Sequence, residues 1–271
     1  MPIGPRTQLC GVLLHPAGHT RSPAMHNAAF AALGIDAVYM AFDVRPDALA
    51  DALAGARALG IRQLAVSIPH KEVVMAHLDE VDETARRIGA VNTVTRREGR
   101  LVGSNTDWIG AVRAIESATS LEGRDVVVLG AGGTARAVVW GVRDRGARVV
   151  VLNRTRERAE RLAGELGAGG AGGLADLART PCDVLVNPTS VGLRTDASPV
   201  SASDIPAHAV VLDAVYDPPR TRLLQDAEAR GARTIGGKWM LVHQAAEQLR
   251  LWSGRDAPID VMANAFDRAG A

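Results

Sequence analysis

The segment DVVVLGAGGTARAVVW, residues 125–140, has the residue types and spacing of a dinucleotide-binding loop. An apolar run ends at Gly130, and the pattern Gly130-x-Gly132-x-x-Ala135 then opens a helical stretch. The first glycine permits a tight turn, the second lets a pyrophosphate approach backbone N–H groups, and the small third residue allows close helix–strand packing. We therefore predict that six consecutive residues bind the cofactor: Gly130, Ala131, Gly132, Gly133, Thr134 and Ala135.

The next apolar run, ARVVVLN, ends in arginines rather than in an acidic residue. NAD-binding forms of the motif place Asp or Glu there, roughly 20 residues after the glycines, to bind the ribose 2′-OH. This chain has Asn153, Arg154, Thr155 and Arg158 instead, and an arginine can clamp a 2′-phosphate. These residues favour NADP over NAD. The alternative, a solvated helix start balanced by nearby glutamates, is disfavoured because cations there oppose the helix dipole.

Lys71 follows the apolar run RQLAVSI and is one of only two lysines, Lys238 being the other. A lysine near a helix start is usually a solvated charge. The segments AVNT (90–93) and SNTDW (104–108) argue against a merely solvated lysine. They add Asn92 and Asp107 at other predicted strand ends of the N-terminal half of the chain. Hydride delivery to a ketone puts negative charge on its oxygen, and a lysine can supply both positive charge and a proton. We expect the neighbouring His70 to be an exposed side chain.

Short apolar runs alternate with helical patterns along the chain, which predicts an α/β fold. Candidate strands of the first half are QLCGVLL (8–14), AVYMAFDV (37–44), RQLAVSI (62–68) and AVNTVTRR (90–97). From residue 125 the runs are continuous, as expected for parallel strands covered on both faces. We predict an N-terminal α/β domain of residues 1–104, completed by the helical segment 238–271, and a Rossmann-like domain with a parallel sheet at 105–237. The segment GAGGAGG (167–173) is expected to be a flexible loop or a weakened element.

Composition excludes several classes of function. The 31 Lys+Arg and 30 Asp+Glu give a net charge of +1, so nothing indicates a nucleic acid or a membrane surface as partner. No apolar run approaches the roughly 20 residues of a membrane span. Cys10 and Cys182 are far apart and are expected to be reduced thiols, which favours a cytoplasmic location. No metal site is expected, because His15 and His19, spaced four apart, do not lie on a helical pattern.

Polar motifs follow one another in a set order: SPAMHN (22–27), SIPHK (67–71), GAVNT (89–93), NTD (105–107), GAGGTARA (130–137), NRT (153–155), NPTSVG (187–192) and an ML–Q pattern ending at Gln244. In this ordered set the chain resembles the shikimate dehydrogenase family over nearly its full length. The resemblance implies an N-terminal substrate domain and a Rossmann-like NADP domain with the substrate in the cleft between them. It also implies reversible reduction of 3-dehydroshikimate to shikimate, within the chorismate pathway of aromatic amino acid biosynthesis. The expected partner is a cyclic polyol carboxylate, and the expected state is a monomer or a homodimer.

The resemblance also assigns roles to individual residues. Lys71 and Asp107 match the family's catalytic pair. The matches to substrate-binding residues are Asn92 and Gln244, which would hydrogen-bond ring hydroxyls, Ser22, which would bind the carboxylate, and Thr20, Ser67 and Tyr216 nearby.

Several residues depart from the family's usual pattern. Thr20 replaces the first serine of Ser-x-Ser-Pro, Ala65 and Ser67 replace the outer residues of Asn-Val-Thr, and Trp108 replaces a glycine. Ala65 cannot supply the asparagine's hydrogen bond, a loss of about 1–3 kcal/mol. The alternatives are therefore a dehydrogenase of quinate or aminoshikimate, a low-activity shikimate dehydrogenase-like protein, or a non-catalytic NADP sensor. A methylene-tetrahydrofolate dehydrogenase is disfavoured, because neither lysine has a tyrosine four residues before it.

Overall fold

The structure, a computed structural model, describes residues 3–18 and 20–270 and divides into two compact units. Unit 1 comprises Met1–Thr106 and Gln244–Ala271, and unit 2 comprises Asp107–His243. The domain bounds expected from the sequence, 104/105 and 237/238, differ from these divisions by a few residues. Each unit is built around its own six-stranded sheet.

The sheet of unit 1 is mixed. Its strands are β1 (Gln8–Leu14), β2 (Ala37–Asp43), β3 (Gln63–Val66), β4 (Glu80–Val81), β5 (Thr93–Arg97) and β6 (Arg100–Ser104), in the order β2-β1-β3-β5-β6-β4. The first three are parallel to one another, whereas β5 runs antiparallel to β3 and β6. The β5–β6 hairpin turns at Glu98 and Gly99, whose φ values of 50° and 81° are those that a two-residue turn requires. The predicted strands of this half correspond to β1, β2, β3 and β5, and β4 and β6 were not predicted.

Three helices of unit 1 lie among these strands: α1 (Ser22–Leu33), α2 (Leu49–Ala58) and α3 (Glu83–Ile88). Helix α1 has a proline in its first turn and ends at Gly34, whose φ of 65° gives the left-handed cap that terminates a helix. Helix α3 is capped by Asp82, whose carboxylate accepts the Ala85 N–H at 2.6 Å.

The sheet of unit 2 is entirely parallel. Its strands are β7 (Asp125–Leu129), β8 (Arg148–Leu152), β9 (Gly170–Gly172), β10 (Val184–Asn187), β11 (Val210–Asp213) and β12 (Arg233–Ile235), in the order β12-β11-β10-β7-β8-β9. This order is that of a Rossmann fold, with the topological switch point between β7 and β10. The prediction of a parallel sheet from continuous apolar runs is confirmed. Part of GAGGAGG forms β9, so this segment is the weakened element of the two alternatives.

The remaining helices are α4 (Asp107–Glu116), α5 (Gly133–Asp144), α6 (Arg156–Leu166), α7 (Arg222–Ala229), α8 (Gly237–Ser253) and α9 (Ile259–Arg268). The part of α8 from Gln244 onward belongs to unit 1, as does α9. Short 3-10 turns occur at Pro46–Ala48, Val73–His77, Leu174–Arg179 and Ala202–Asp204. Within the described residues, no helix combines the length and the apolar character that crossing a membrane requires.

Candidate active site

The turn after β3 carries Lys71 and is held by the residue before it. The His70 N–H donates to the Ser67 carbonyl at 2.9 Å, and the Ser67 N–H donates to Leu13 of β1 at 2.9 Å. The His70 side chain is fully buried, and its Nε2 donates to the Val44 carbonyl at 2.7 Å. The expectation of an exposed His70 is therefore wrong, because the turn folds this ring inward against the segment that follows β2.

Lys71 and Asn92 lie on segments that backbone hydrogen bonds join. The Val91 N–H donates to the Lys71 carbonyl at 2.8 Å, and the Val66 N–H donates to the Asn92 carbonyl at 2.7 Å. Lys71 is half-buried, and Asn92 is buried. The structure thus brings the predicted catalytic lysine and the predicted binding amide to the same end of β3.

Asn92 and Gln244 make direct contact, although they are far apart in the sequence. The Asn92 Nδ2 donates to Gln244 Oε1 at 3.2 Å and to Thr106 Oγ1 at 3.0 Å. The Asn92 Oδ1 accepts the Thr106 N–H at 2.7 Å. All three residues are buried, and a buried polar group that is hydrogen-bonded on every side has a well-defined orientation.

Thr20 and Ser22 lie on a different element of unit 1, the start of α1. Ser22 is buried, and its N–H donates to Thr20 Oγ1 at 3.3 Å. The threonine hydroxyl therefore serves the helix start, a contact that a serine hydroxyl could equally make.

In unit 2, the loop after β7 has room for a pyrophosphate. Gly130 has a φ of 90°, and a Cβ there would lie 2.5 Å from Thr189 Cγ2, so a side chain does not fit. At Gly132, just before α5, an added Cβ would meet no atom of the described residues within 4 Å. The first turn of α5 has no acidic residue, and its N-cap residue, Gly132, has no side chain that could cap it. The helix start is therefore suited to attract an anion, and the fit to a dinucleotide is good.

The arginines after β8 fall into two kinds. Arg156 forms an ion pair with Asp176 at 2.6 Å, and the same carboxylate accepts the Gly173 N–H at 2.9 Å. Arg154 and Arg158 are exposed and form no ion pair with any residue that the structure describes. Since Arg156 is held by a structural carboxylate, the other two are the ones available to a 2′-phosphate. Asn153 and Thr155 shape the turn, with the Asn153 amide donating to the Thr155 carbonyl at 2.8 Å.

A buried polar network that the sequence analysis missed lies at the ends of β10 and β11. The Asn187 Nδ2 donates to Asp213 Oδ1 at 2.9 Å, and the Thr221 hydroxyl donates to Asp213 Oδ2 at 2.6 Å. The Val215 N–H adds a third donor at 3.0 Å. Burial raises the pKa of the Asp213 carboxyl to about 6. Asn187 and Asp213 each end an apolar run in the sequence, and this pattern was the signal that could have revealed the network.

This network holds the loops on either side of it. The Asn187 Oδ1 accepts the Thr189 hydroxyl at 2.6 Å, which places Thr189 against Gly130. On the other side, Tyr216 follows Asp213 closely in the chain and is half-buried. The same carboxyl and amide therefore anchor both the loop that covers the glycine turn and the segment that carries the predicted tyrosine.

The histidines predicted not to bind metal have other surroundings. His15 Nδ1 lies 2.7 Å from Asp43 Oδ1, and His19 lies outside the described residues. Among residues 3–18 and 20–270, no group of three or more His, Cys, Asp or Glu is arranged to hold a metal ion.

Three family models match consecutive parts of the chain. They are the shikimate dehydrogenase substrate binding domain over residues 12–94, shikimate/quinate 5-dehydrogenase over 112–190, and the shikimate 5′-dehydrogenase C-terminal domain over 237–265. The chain is also 48% identical to the shikimate dehydrogenase (NADP+) of Thermococcus kodakarensis, over 92% of both chains. The chain belongs to the shikimate dehydrogenase family.

Solved structures agree with this membership. Shikimate 5-dehydrogenase from Thermus thermophilus, in complex with NADP(H) and shikimate, is 41% identical with a TM-score of 0.91, and the match covers 97% of this chain and 99% of that one. The ligand-free 5-ketofructose reductase of a Gluconobacter strain is 36% identical with a TM-score of 0.87, over 98% and 100% of the two chains. The fold thus occurs in proteins named for different polyol substrates.

One departure from the usual pattern of the shikimate dehydrogenase family has a structural explanation. Asp107 is buried and is the first residue of α4, where a carboxylate is favoured by the helix dipole. The next residue, Trp108, packs edge-on against Trp140 of α5, with ring centroids 4.8 Å apart. A Cβ at Gly141 would lie 3.0 Å from the Trp108 Cβ, so the two helices approach closely at this point. Packing of α4 on α5 therefore accounts for Trp108.

Proposed function

We propose that the chain catalyses the NADP-dependent, reversible reduction of 3-dehydroshikimate to shikimate. The observation that carries this proposal is the 48% identity with a shikimate dehydrogenase (NADP+) over 92% of both chains. The geometry of each unit supports it, because unit 1 gathers a lysine and two amides at one strand end, and unit 2 has the loop of a dinucleotide-binding Rossmann fold.

For the cofactor, we assign the pyrophosphate to the glycine turn and the 2′-phosphate to the arginines after β8. Residues 130–135 would bind the pyrophosphate, with the open space beside Gly132 as support. Arg154 and Arg158 would bind the 2′-phosphate, since Arg156 is already paired with Asp176. Bound NADPH supplies the hydride that reduces the carbonyl carbon.

In the proposed mechanism, Lys71 handles the proton. During reduction its ammonium group donates a proton to the carbonyl oxygen as negative charge develops there, so the ketone becomes an alcohol. During oxidation the neutral amine accepts that proton. Asp107 would orient the ammonium group and a substrate hydroxyl. Asn92 and Gln244 would hydrogen-bond ring hydroxyls, with Ser22, Thr20, Ser67 and Tyr216 completing the substrate contacts.

A substrate screen tests the activity. The purified protein is mixed with NADP+ or NAD+ and with shikimate, quinate or aminoshikimate, and formation of the reduced cofactor is followed by its absorbance. Reduction of 5-ketofructose by NADPH is tested as a separate reaction, because one of the structurally similar proteins is a 5-ketofructose reductase. We expect the highest kcat/KM with shikimate and NADP+. Binding of NADPH without turnover of any compound would instead support the sensor alternative.

Two substitutions test the role of Lys71. Lys71→Ala should lower kcat by about two to four orders of magnitude, the scale of general acid–base catalysis, while NADPH affinity is retained. Lys71→Arg is the matched control, because arginine keeps the charge but does not release its proton at neutral pH. It should be as inactive as the alanine variant, and wild-type turnover by either one would refute proton transfer by Lys71.

We also propose a cytoplasmic location. The support is that Cys10 and Cys182 are both buried and unpaired with each other. Burial raises the pKa of each thiol to about 12, so both remain protonated and unreactive.

A further inference from the structure

Two glutamines one helical turn apart on α8 contact the same strand end. Gln244 and Gln248 are 7% and 1% exposed, so both amides are buried in unit 1. Residues four apart lie on one face of a helix, and this face is turned toward the start of β5. The family resemblance assigns a role to Gln244 and none to Gln248.

Gln248 is hydrogen-bonded to the backbone of Asn92 and to the side chain of Thr93, the residue that follows it. The Gln248 Nε2 donates to the Asn92 carbonyl at 3.2 Å and to the Thr93 hydroxyl at 3.0 Å. The Thr93 hydroxyl in turn donates to Asn92 Oδ1 at 2.8 Å. The donors therefore point in one direction, from Gln248 through Thr93 to Asn92.

A neutral histidine packs beside Gln248, although neither of its ring nitrogens is hydrogen-bonded within the described residues. His26 of α1 is fully buried, and burial lowers its pKa to about 3, while the neighbouring Gln248 amide opposes part of this effect. The ring therefore carries no charge near neutral pH. It stacks on Tyr39 with ring centroids 4.1 Å apart, so the ring is packed in place beside Gln248.

These contacts fix the orientation of the Asn92 side-chain amide. Its Oδ1 accepts two strong donors, the Thr106 N–H at 2.7 Å and the Thr93 hydroxyl at 2.8 Å. The NH2 group is consequently directed to the side where Gln244 lies, 3.2 Å away. Without the Gln248 donor, the Thr93 hydroxyl is free to rotate, and the Asn92 Oδ1 loses one of the two short bonds that it accepts.

We propose that Gln248 is a positioning residue for substrate recognition, which acts by holding Thr93 and Asn92 so that the Asn92 side-chain amide, and the Gln244 amide bonded to it, keep the orientation in which they meet a ring hydroxyl of the polyol. The assignment rests on the proposed function, because it takes Asn92 as a substrate contact. It predicts that Gln248 affects substrate affinity without touching the substrate.

Gln248→Met tests the proposal, because methionine keeps the length and volume of glutamine but removes both donors. The KM for shikimate should rise about three- to tenfold, the effect of one weakened hydrogen bond, with kcat within about twofold and the KM for NADP+ unchanged.

Gln63→Met is the matched control. Gln63 is also a buried glutamine of unit 1, 1% exposed, and its amide atoms have no hydrogen-bond partner among the described residues. Its substitution should leave the KM for shikimate unchanged.

A double-substitution cycle separates positioning from general destabilisation. In an Asn92→Ala background, Gln248→Met should raise KM no further, because the group it positions is absent. An equal rise in both backgrounds would overturn the proposal. If Gln248→Met does not fold, Thr93→Val decides, since it preserves shape and removes the same link to Asn92.

The outcomes distinguish this inference from the proposed function. Absence of polyol turnover by the unaltered protein would overturn the proposed function. Normal turnover by the unaltered protein, together with an unchanged KM in Gln248→Met and Thr93→Val, would overturn the role of Gln248 alone.

Discussion

The carboxyl group of Asp213 should make the stability of the protein depend on pH in an unusual direction. It is fully buried in unit 2 and accepts hydrogen bonds from the Asn187 amide, the Val215 N–H and the Thr221 hydroxyl. None of these donors carries a charge. Burial therefore outweighs the hydrogen bonds and raises the pKa of Asp213 from 3.8 to about 6.

The sign of the effect follows from proton binding. Because the folded state holds this proton more tightly than the unfolded chain, the contribution of Asp213 to the free energy of unfolding is largest below about pH 4. It falls as the pH rises toward 6 and is constant above that. Each pKa unit corresponds to about 1.4 kcal/mol, so a difference of about two units corresponds to about 3 kcal/mol.

Asp213→Asn removes this titration and nearly preserves the shape. The asparagine Oδ1 can accept from Asn187 and Val215, and its NH2 group can donate to the Thr221 hydroxyl, which can reverse its role. Any change in hydrogen-bond strength is the same at every pH. The free energy of unfolding of the variant minus that of the wild type should therefore increase by about 3 kcal/mol between about pH 4 and pH 7.

The assay is urea unfolding of both proteins across this pH range and down to about pH 3, with a fluorescence or circular dichroism signal. Asp176→Asn is the control of opposite sign. The Gly173 N–H and the Arg179 guanidinium lower the pKa of Asp176, so its contribution to stability is present at neutral pH and is lost as the pH falls. Its variant should lose stability relative to wild type as the pH rises toward about 4, and the difference should stay constant between about pH 5 and pH 7. A difference for Asp213→Asn that stays flat across the range would refute the reasoning.

Two further predictions concern unit 2. Arg154→Gln should reduce the preference for NADP+ over NAD+, measured as the ratio of kcat/KM values, by about tenfold, because one charge-assisted bond to the 2′-phosphate is lost. Arg156→Gln should leave that ratio unchanged, since Arg156 is bound to Asp176; equal effects of the two would contradict the assignment. Gly141→Ala should destabilise the protein by about 1–3 kcal/mol in thermal unfolding, because its Cβ would crowd α4. Gly164→Ala, on the exposed face of α6 with no atom of the described residues within 4 Å, should instead stabilise it by about 0.5–1 kcal/mol.

The parallel sheet of unit 2 was predictable because burial on both faces leaves a clear mark on the sequence. Val126, Val127 and Val128 form an unbroken apolar run, and all three are 1% exposed or less. The short strands β9 and β12 carry no such mark, since three residues are too few to show a period. Their place at the sheet edges rests on pairing with one neighbour each, β8 for β9 and β11 for β12.

The mixed sheet of unit 1 was harder to predict because its reversal depends on one turn. The only local signal for the β5–β6 hairpin is Glu98-Gly99, and glutamate is uncommon at a position of positive φ. The reversal matters for the site, because it brings Thr106, just after β6, within hydrogen-bond distance of Asn92, just before β5.

The candidate site shows a related limit of local motifs. Ala65 lacks the amide that the usual Asn-Val-Thr pattern supplies, and the sequence therefore predicts a lost hydrogen bond at this strand. In the structure, Ala65 is the cross-strand partner of Thr93, and the Thr93 hydroxyl accepts from the Gln248 amide of α8 at 3.0 Å. An amide thus reaches this part of the sheet from a helix in the C-terminal part of the chain. Strand and helix meet only in the folded unit, so a motif confined to residues 65–67 contains no information about this donor. Ala65 alone is therefore a poor guide to which polyol is bound. The KM for the polyol should instead follow the orientation of Asn92, which we propose that Gln248 supports.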